Sequence, residues 1–173
     1  MKIKGEPAVE VRYDMSDFAR SAVEAFEEAA GEKAKKCPTP FVIQTPLPQK
    51  DPPPTWEALA KLMRAAENEE LPAGRFSSIA PSIVMKIMWL SRIARPDLSK
   101  ATVDLSRRLT KWTTFDDDRL RRLVGYIAFS ADYNMVGHVC GGLGDVVIST
   151  YADADFASSA KSKSTTGSFC EVS

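Results

Sequence analysis

The sequence predicts an α+β fold: an N-terminal strand and helix, a helical connection region, then a small antiparallel β-meander. Three observations predict it. Apolar residues recur at helical spacing in five stretches between Asp17 and Ile127. After Tyr133 the pattern shortens to that of strands, and Gly141-Gly142-Leu143-Gly144 supplies a hairpin turn between two of them.

The elements follow in order. Ala8 to Tyr13 alternates weakly and reads as a strand. Ser16 can cap a helix starting at Asp17, with Phe18, Ala22, Phe26 and Ala29 on one face and Gly31 as the stop. Cys37 to Pro54 holds seven of the eleven prolines and reads as an extended connector. Thr55 caps a short helix carrying Trp56, Leu59, Leu62, Met63 and Ala66.

The strongest helical stripe is Ile79, Ile83, Ile87, Leu90 and Ala94, widened by Val84, Met88 and Trp89. Pro96 ends that helix or sits in the first turn of the next. Leu98, Ala101, Leu105, Leu109 and Trp112 make a second stripe. Thr114 caps a third helix, where Asp116, Asp117 and Asp118 meet the positive end of the macrodipole, and Leu120, Leu123, Val124 and Ile127 face inward. The strands are Met135 to Cys140, Asp145 to Ala152 and Thr166 to Val172.

Composition excludes several classes. Lys+Arg and Asp+Glu both number 23, so net charge selects no partner. One histidine, His138, excludes His-based triads and His-rich metal sites and reads as structural. Cys37, Cys140 and Cys170 form neither a CxxC pair nor a disulfide framework, which points to a reducing intracellular compartment. The longest apolar stretch, Ile79 to Leu90, is interrupted by Pro81, Ser82 and Lys86, so no membrane partner is expected.

Two features carry chemistry. In YADAD, Asp153 and Asp155 lie two residues apart and would share a strand face, a donor set suited to Mg²⁺. By residue type alone an edge strand ending in solvated charges explains them as well. From Lys86 to Arg122, ten basic residues face five acidic ones, a local excess of +5 that would suit phosphates. The nucleic-acid contacts expected there are Arg95, Lys100, Arg107, Arg108, Lys111, Arg119 and Arg122, with Lys161 and Lys163 beside the aspartates.

In order along the chain, IMWLSRIARPD, ATVDLSR, DDDRLRRLVGYIAFSADYNMV and VISTYADADFASSAKSKSTTGSFCEV resemble the region after the polymerase in copia-type LTR retrotransposon polyproteins. There SLMYL leads to TRPD and an A-x-x-x-L-S-R helix, and a later G-Y-S-D-A-D-W-A-G…R-R-S-T-S-G-Y-V-F opens the ribonuclease H domain. The match spans Ile79 to Val172, a little over half the chain. VEVRYDMSDFARSAVEAFEEAAGEKAKKCPTPF is similar, more loosely, to the polymerase thumb, and Gln44 to Phe76 has no counterpart.

The resemblance implies four segments: 1–43 thumb-like, 44–76 a Pro-rich connector with a short helix, 77–131 connection helices, and 132–173 the start of a ribonuclease H-like domain. It implies a parent that synthesises DNA on RNA and cleaves the RNA of RNA–DNA hybrids with Mg²⁺. Asp153 matches the first catalytic aspartate and metal ligand, and Asp155 the second Asp of that motif, a further ligand or a hydrogen-bonding residue near the turn. Ser164, Thr165 and Gly167 match the turn before the next strand. Expected partners are the hybrid duplex and the rest of the polyprotein; the expected location is the cytoplasm, a virus-like particle or the nucleus.

The departures set a further expectation. The family needs an acid on the next helix and later aspartates, whereas only Glu171 follows Asp155 here, and the polymerase Tyr-x-Asp-Asp hairpin is missing. Alone, this chain is expected to bind no Mg²⁺ tightly and to catalyse neither reaction, with Asp153 catalytic only in a completed domain. The alternative reading is a nonenzymatic nucleic-acid-binding or protein-interaction module.

Overall fold

The computed structural model describes residues 2–3, 6–40, 71–140, 148–155 and 165–172. They form an α+β arrangement in two units, residues 13–135 and residues 1–12 with 136–173. The connector and the short helix expected from Thr55 lie outside the described residues, apart from 37–40, as does the Gly141–Gly144 turn.

Among the described residues the first unit holds four α-helices: α1 Ser16–Ala30, α2 Ala80–Ile93, α3 Ser99–Ser106 and α4 Thr114–Phe129. Helix α1 starts one residue earlier than expected. Ser16 does not cap it; the Asp14 carboxylate accepts the Ser16 N–H at 2.9 Å and the Ser16 hydroxyl at 2.6 Å. Its buried stripe is Ala19, Ala22, Phe26 and Ala30, with Phe18 half-buried and Ala29 exposed. Gly31 ends it at φ 66°, a left-handed conformation that glycine adopts without strain, and returns its N–H to Glu27 at 3.0 Å.

Helix α2 has Pro81 in its first turn, where a missing N–H costs nothing. Ile83, Val84, Ile87 and Leu90 are buried as the pattern predicts. Trp89 is 57% exposed and so does not widen the stripe; an indole on the flank of a two-sided packing surface falls to solvent. The stripe from Leu98 to Trp112 is not one helix. Pro96–Leu98 is a 3₁₀ turn, α3 follows, and Leu109–Lys111 is a second 3₁₀ turn. The break lies where Arg108 N–H bonds Leu105 O at 3.0 Å, an i to i−3 bond that tightens the chain.

Helix α4 is capped by Thr113, one residue before the expected Thr114, in a reciprocal capping box with Asp116. Helix α1 packs on α2 and α4, and α2 packs on α3. Phe26 meets Phe76 edge to face, with centroids 5.4 Å apart and planes at 80°. Each such fully buried large apolar side chain contributes about 1.5–3 kcal/mol. Two extended segments are pinned to this core. Gly74 N–H bonds Trp112 O at 3.2 Å and Thr114 N–H bonds Pro72 O at 3.1 Å, and Cys37 N–H bonds Gly125 O at 3.2 Å.

The remaining strands are β1 Lys2–Ile3, β2 Glu6–Tyr13, β3 Met135–Cys140, β4 Ile148–Asp155 and β5 Thr165–Val172. β1, β2 and β3 form one sheet in that order, and β4 with β5 a second, antiparallel one. Among the described residues β3 therefore lies beside β2 and does not extend the β4–β5 pair into the expected meander. A cross-strand contact accompanies that pairing: His138 Nε2 is 3.9 Å from Glu10. β4 also runs to Asp155, three residues beyond its expected end at Ala152, so both aspartates lie within a strand.

Candidate functional site

The β4–β5 register places Asp153 opposite Gly167 and Asp155 opposite Thr165. Directly paired residues share a face, and residues alternate along each strand. One face thus carries the positions of Ser149, Tyr151, Asp153 and Asp155 with Thr165, Gly167, Phe169 and Glu171. Two carboxylate-bearing residues two apart are a hard-oxygen donor set of the kind Mg²⁺ takes alongside substrate phosphate, so the residue types fit the ion the resemblance implies. Glu171 shares the face but pairs with Ser149, about 13 Å along the strand from Asp153, too far to share an ion with it. Among the described residues no group of three or more His, Cys, Asp and Glu side chains is placed to hold a metal.

The basic residues fall into distinct settings. Arg95 is only 3% exposed. Its Nε and one terminal nitrogen grip both oxygens of Asp97 at 2.9 and 2.8 Å, while its two terminal nitrogens reach Ser130 O at 2.8 Å and Ser130 Oγ at 2.7 Å. The guanidinium also lies over the rings of Tyr126 and Tyr133, 5.6 and 5.5 Å from their centroids. Tyr126 hydroxyl donates to Asp97 at 2.9 Å. Burial alone would push the Asp97 carboxyl up, but the hydrogen bonds from Arg95 and Tyr126 and the Arg95 charge hold it below the usual carboxylate range. Burial and the neighbouring Asp97 push the Tyr126 hydroxyl up.

Arg108 Nε reaches both oxygens of the fully buried Asp116 at 2.8 and 2.9 Å. Arg119 sits 3.6 Å from Asp116 and 3.7 Å from Asp104, and Lys100 is 3.5 Å from Asp104. Arg122 donates to Thr39 Oγ1 at 2.8 Å. Arg107 and Lys111 are exposed, and Lys161 and Lys163 lie outside the described residues. Much of the +5 excess is thus spent on internal partners, and a guanidinium held by a carboxylate displaces fewer counterions from a phosphate chain.

Sequence reasoning missed two groups. Asp116 and Asp117 lie in the first turn of α4 as expected, but both are also buried, which their spacing does not reveal. Asp117 accepts hydrogen bonds from the Trp112 indole at 2.7 Å, Phe76 N–H at 3.0 Å and Arg75 N–H at 2.7 Å. Only Asp118 is exposed, paired with Arg121 at 2.9 Å. Arg121 also bonds Glu32 at 2.6 Å and lies 4.6 Å from the Phe76 centroid. The hydrogen bond from Arg121, with the charges of Arg121, Arg75 and Lys35, holds the Glu32 carboxyl below its ordinary value against the penalty of burial. No spacing rule links positions 89 residues apart, so this pair left no sequence signal.

Among the described residues no helix is long and apolar enough to cross a membrane. Comparison of the chain with family models, with curated proteins and with solved structures finds no match.

Proposed function

We propose that the chain is a segment of a copia-type retrotransposon polyprotein, joining the polymerase to the ribonuclease H domain and contributing that domain's first metal-binding strand. The observation that carries this reading is the unbroken β4 strand through YADAD, antiparallel to β5, with Asp153 and Asp155 on one face. The ordered resemblance of ARPD, LSR, YADAD and STTGS supports it.

In this reading Asp153 would hold Mg²⁺, and Asp155 would add a ligand or serve as a hydrogen-bonding residue near the turn. The bound ion would polarise the scissile phosphate of the RNA strand and lower the pKa of an attacking water. The remaining carboxylates come from other parts of the parent polyprotein. The helical unit serves as a spacer, and its exposed Lys100, Arg107 and Lys111 meet duplex phosphates. The buried position of Arg95 and the carboxylate partners of Arg108 and Arg119 support a spacer more than a dedicated nucleic-acid-binding module.

The test is complementation. The full chain is mixed with a polypeptide carrying the rest of a copia-type ribonuclease H domain and given RNA–DNA hybrid and Mg²⁺. Cleavage of the RNA strand is expected, and Asp153→Asn abolishes it. Cleavage that Asp153→Asn leaves intact, or none from two folded partners at any ratio, would sink the proposal.

A further inference from the structure

We propose that the exposed ridge of α2 carrying Met85, Trp89 and Ile93 is the docking surface for residues 55–66 of the same chain, laid antiparallel to α2. Those residues lie outside the described ones. The inference is independent of the retroelement reading.

The ridge is an unusual thing to leave in water. Met85, Trp89 and Ile93 are 54, 57 and 39% exposed, on the side of α2 opposite its buried Ile83, Val84, Ile87 and Leu90. They stand at i, i+4 and i+8, so they form one row about 12 Å long, of the kind that packs into the groove of a second helix. Single exposed apolar residues are ordinary, whereas a contiguous row marks a contact surface.

The segment 55–66 has the matching need. On the helix expected from Thr55, Trp56, Leu59, Leu62, Met63 and Ala66 fall on one side and Glu57, Lys61 and Arg64 on the other. A helix this short is marginal in water unless its apolar side is covered. Run antiparallel to α2, it brings Leu62 and Met63 to Met85, Leu59 to Trp89 and Trp56 to Ile93 in a single register.

Connection and charge select this occupant. Ala66 is five residues from Leu71, at most about 17 Å of chain. From Leu71 the chain runs to Phe76, whose carbonyl accepts the Ala80 N–H at 2.8 Å where α2 begins. A helix ending there covers α2 by running back along it. Its end is acidic, Glu67, Glu69 and Glu70, and it would arrive at the N-terminal end of α2, which has no side-chain cap and no acid in its first turn. A second copy of α2 would instead bring only Lys86 and Arg92, charges of the sign already on this helix.

The experiment uses the full chain with ¹³C-labelled methyl groups on its six methionines, each assigned by replacement with leucine. A nuclear Overhauser contact between the Met63 and Met85 methyls is expected in the unaltered chain, unchanged on roughly tenfold dilution because the contact is intramolecular. Leu59→Asp should abolish it and move the Met85 signal, whereas Lys61→Asp, on the polar side, should leave both as they were. The Met15 methyl, packed against the core from the start of α1, reports whether each variant still folds. If it moves in Leu59→Asp, the contact in the unaltered chain decides. No contact there overturns the inference, as does a contact that a folded Leu59→Asp variant retains. A contact seen only between differently labelled copies in a mixed sample also overturns it and makes a second copy the occupant.

Discussion

The Asp117 carboxylate accepts the indole N–H of Trp112 at 2.7 Å, within the first turn of the helix that Asp117 helps to open. The same carboxylate takes the backbone N–H groups of Arg75 and Phe76. One side chain therefore ties the entry to α4 to the segment carrying Phe76, and Phe76 is the ring that Phe26 packs against.

Replacing Asp117 by Ala would leave three donors without their acceptor, two of them in buried contacts. The expected loss is about 3 kcal/mol or more, because a buried donor left without a partner bears its full desolvation penalty. Asp117→Asn keeps one acceptor oxygen and should lose less. Urea denaturation of the two variants checks both the size and the order of the effects.

Gly125 offers a test of close backbone approach. A β-carbon there would lie 2.1 Å from Lys35 O, whereas one at Gly137 would meet nothing within 4 Å. Alanine is ordinarily favoured over glycine inside a helix by about 1 kcal/mol. The clash should reverse that preference, so Gly125→Ala lowers stability by about 1–3 kcal/mol as the 33–37 segment is pushed off α4. Gly137→Ala is the control expected to change little. Thermal melts in which Gly125→Ala matches or exceeds the unaltered chain would contradict the contact.

Asp97 and Tyr126 give stability a pH dependence at both ends. Asp97 has a folded-state pKa below its unfolded value, so its contribution is present above the unfolded pKa and is lost as pH falls through the folded one, below about pH 4. Glu32 acts in the same direction. Tyr126 has a raised pKa, so its contribution is present below the unfolded value and is lost as pH rises through the folded one, above about pH 10. Stability curves against pH should lose part of the acid limb in Asp97→Asn and the Tyr126 part of the alkaline limb in Tyr126→Phe. An unchanged acid limb in Asp97→Asn would show that Arg95 does not hold the ionised form.

These predictions mark what the sequence could and could not reveal. Helical period found the inner faces of α2 and α4, because burial on one side forces apolar residues to recur every three or four positions. It misplaced caps by one residue and kept Trp89 inside, since a widened stripe does not say where a neighbour ends. The ARPD segment was legible as a motif, but its physical content was not: the buried Arg95, paired with the exposed Asp97, clamps the end of α4 through Ser130 and Tyr126. Gly74 and Gly125 left no signal, because each is demanded by backbone from a distant part of the chain. The aspartates were legible in type and spacing, whereas the residue facing Asp153 came only from strand register.

That division predicts how the basic residues separate under mutation. Arg95→Ala removes a buried guanidinium from the exposed Asp97 carboxylate and leaves Ser130 O and Oγ without their donor, so it should destabilise the helical unit by about 1–3 kcal/mol. Lys100→Ala, Arg107→Ala and Lys111→Ala alter exposed positions and should change stability by roughly 0.5 kcal/mol or less. If the exposed three meet duplex phosphates, each removal should make the slope of log affinity against log salt shallower by about 0.9. Binding of RNA–DNA hybrid measured across a salt series, beside denaturation of the same variants, separates the two groups. A shallower slope in a folded Arg95 variant, with none in the other three, would show that the buried clamp opens to bind and would remove the spacer's outer face from the nucleic-acid contact.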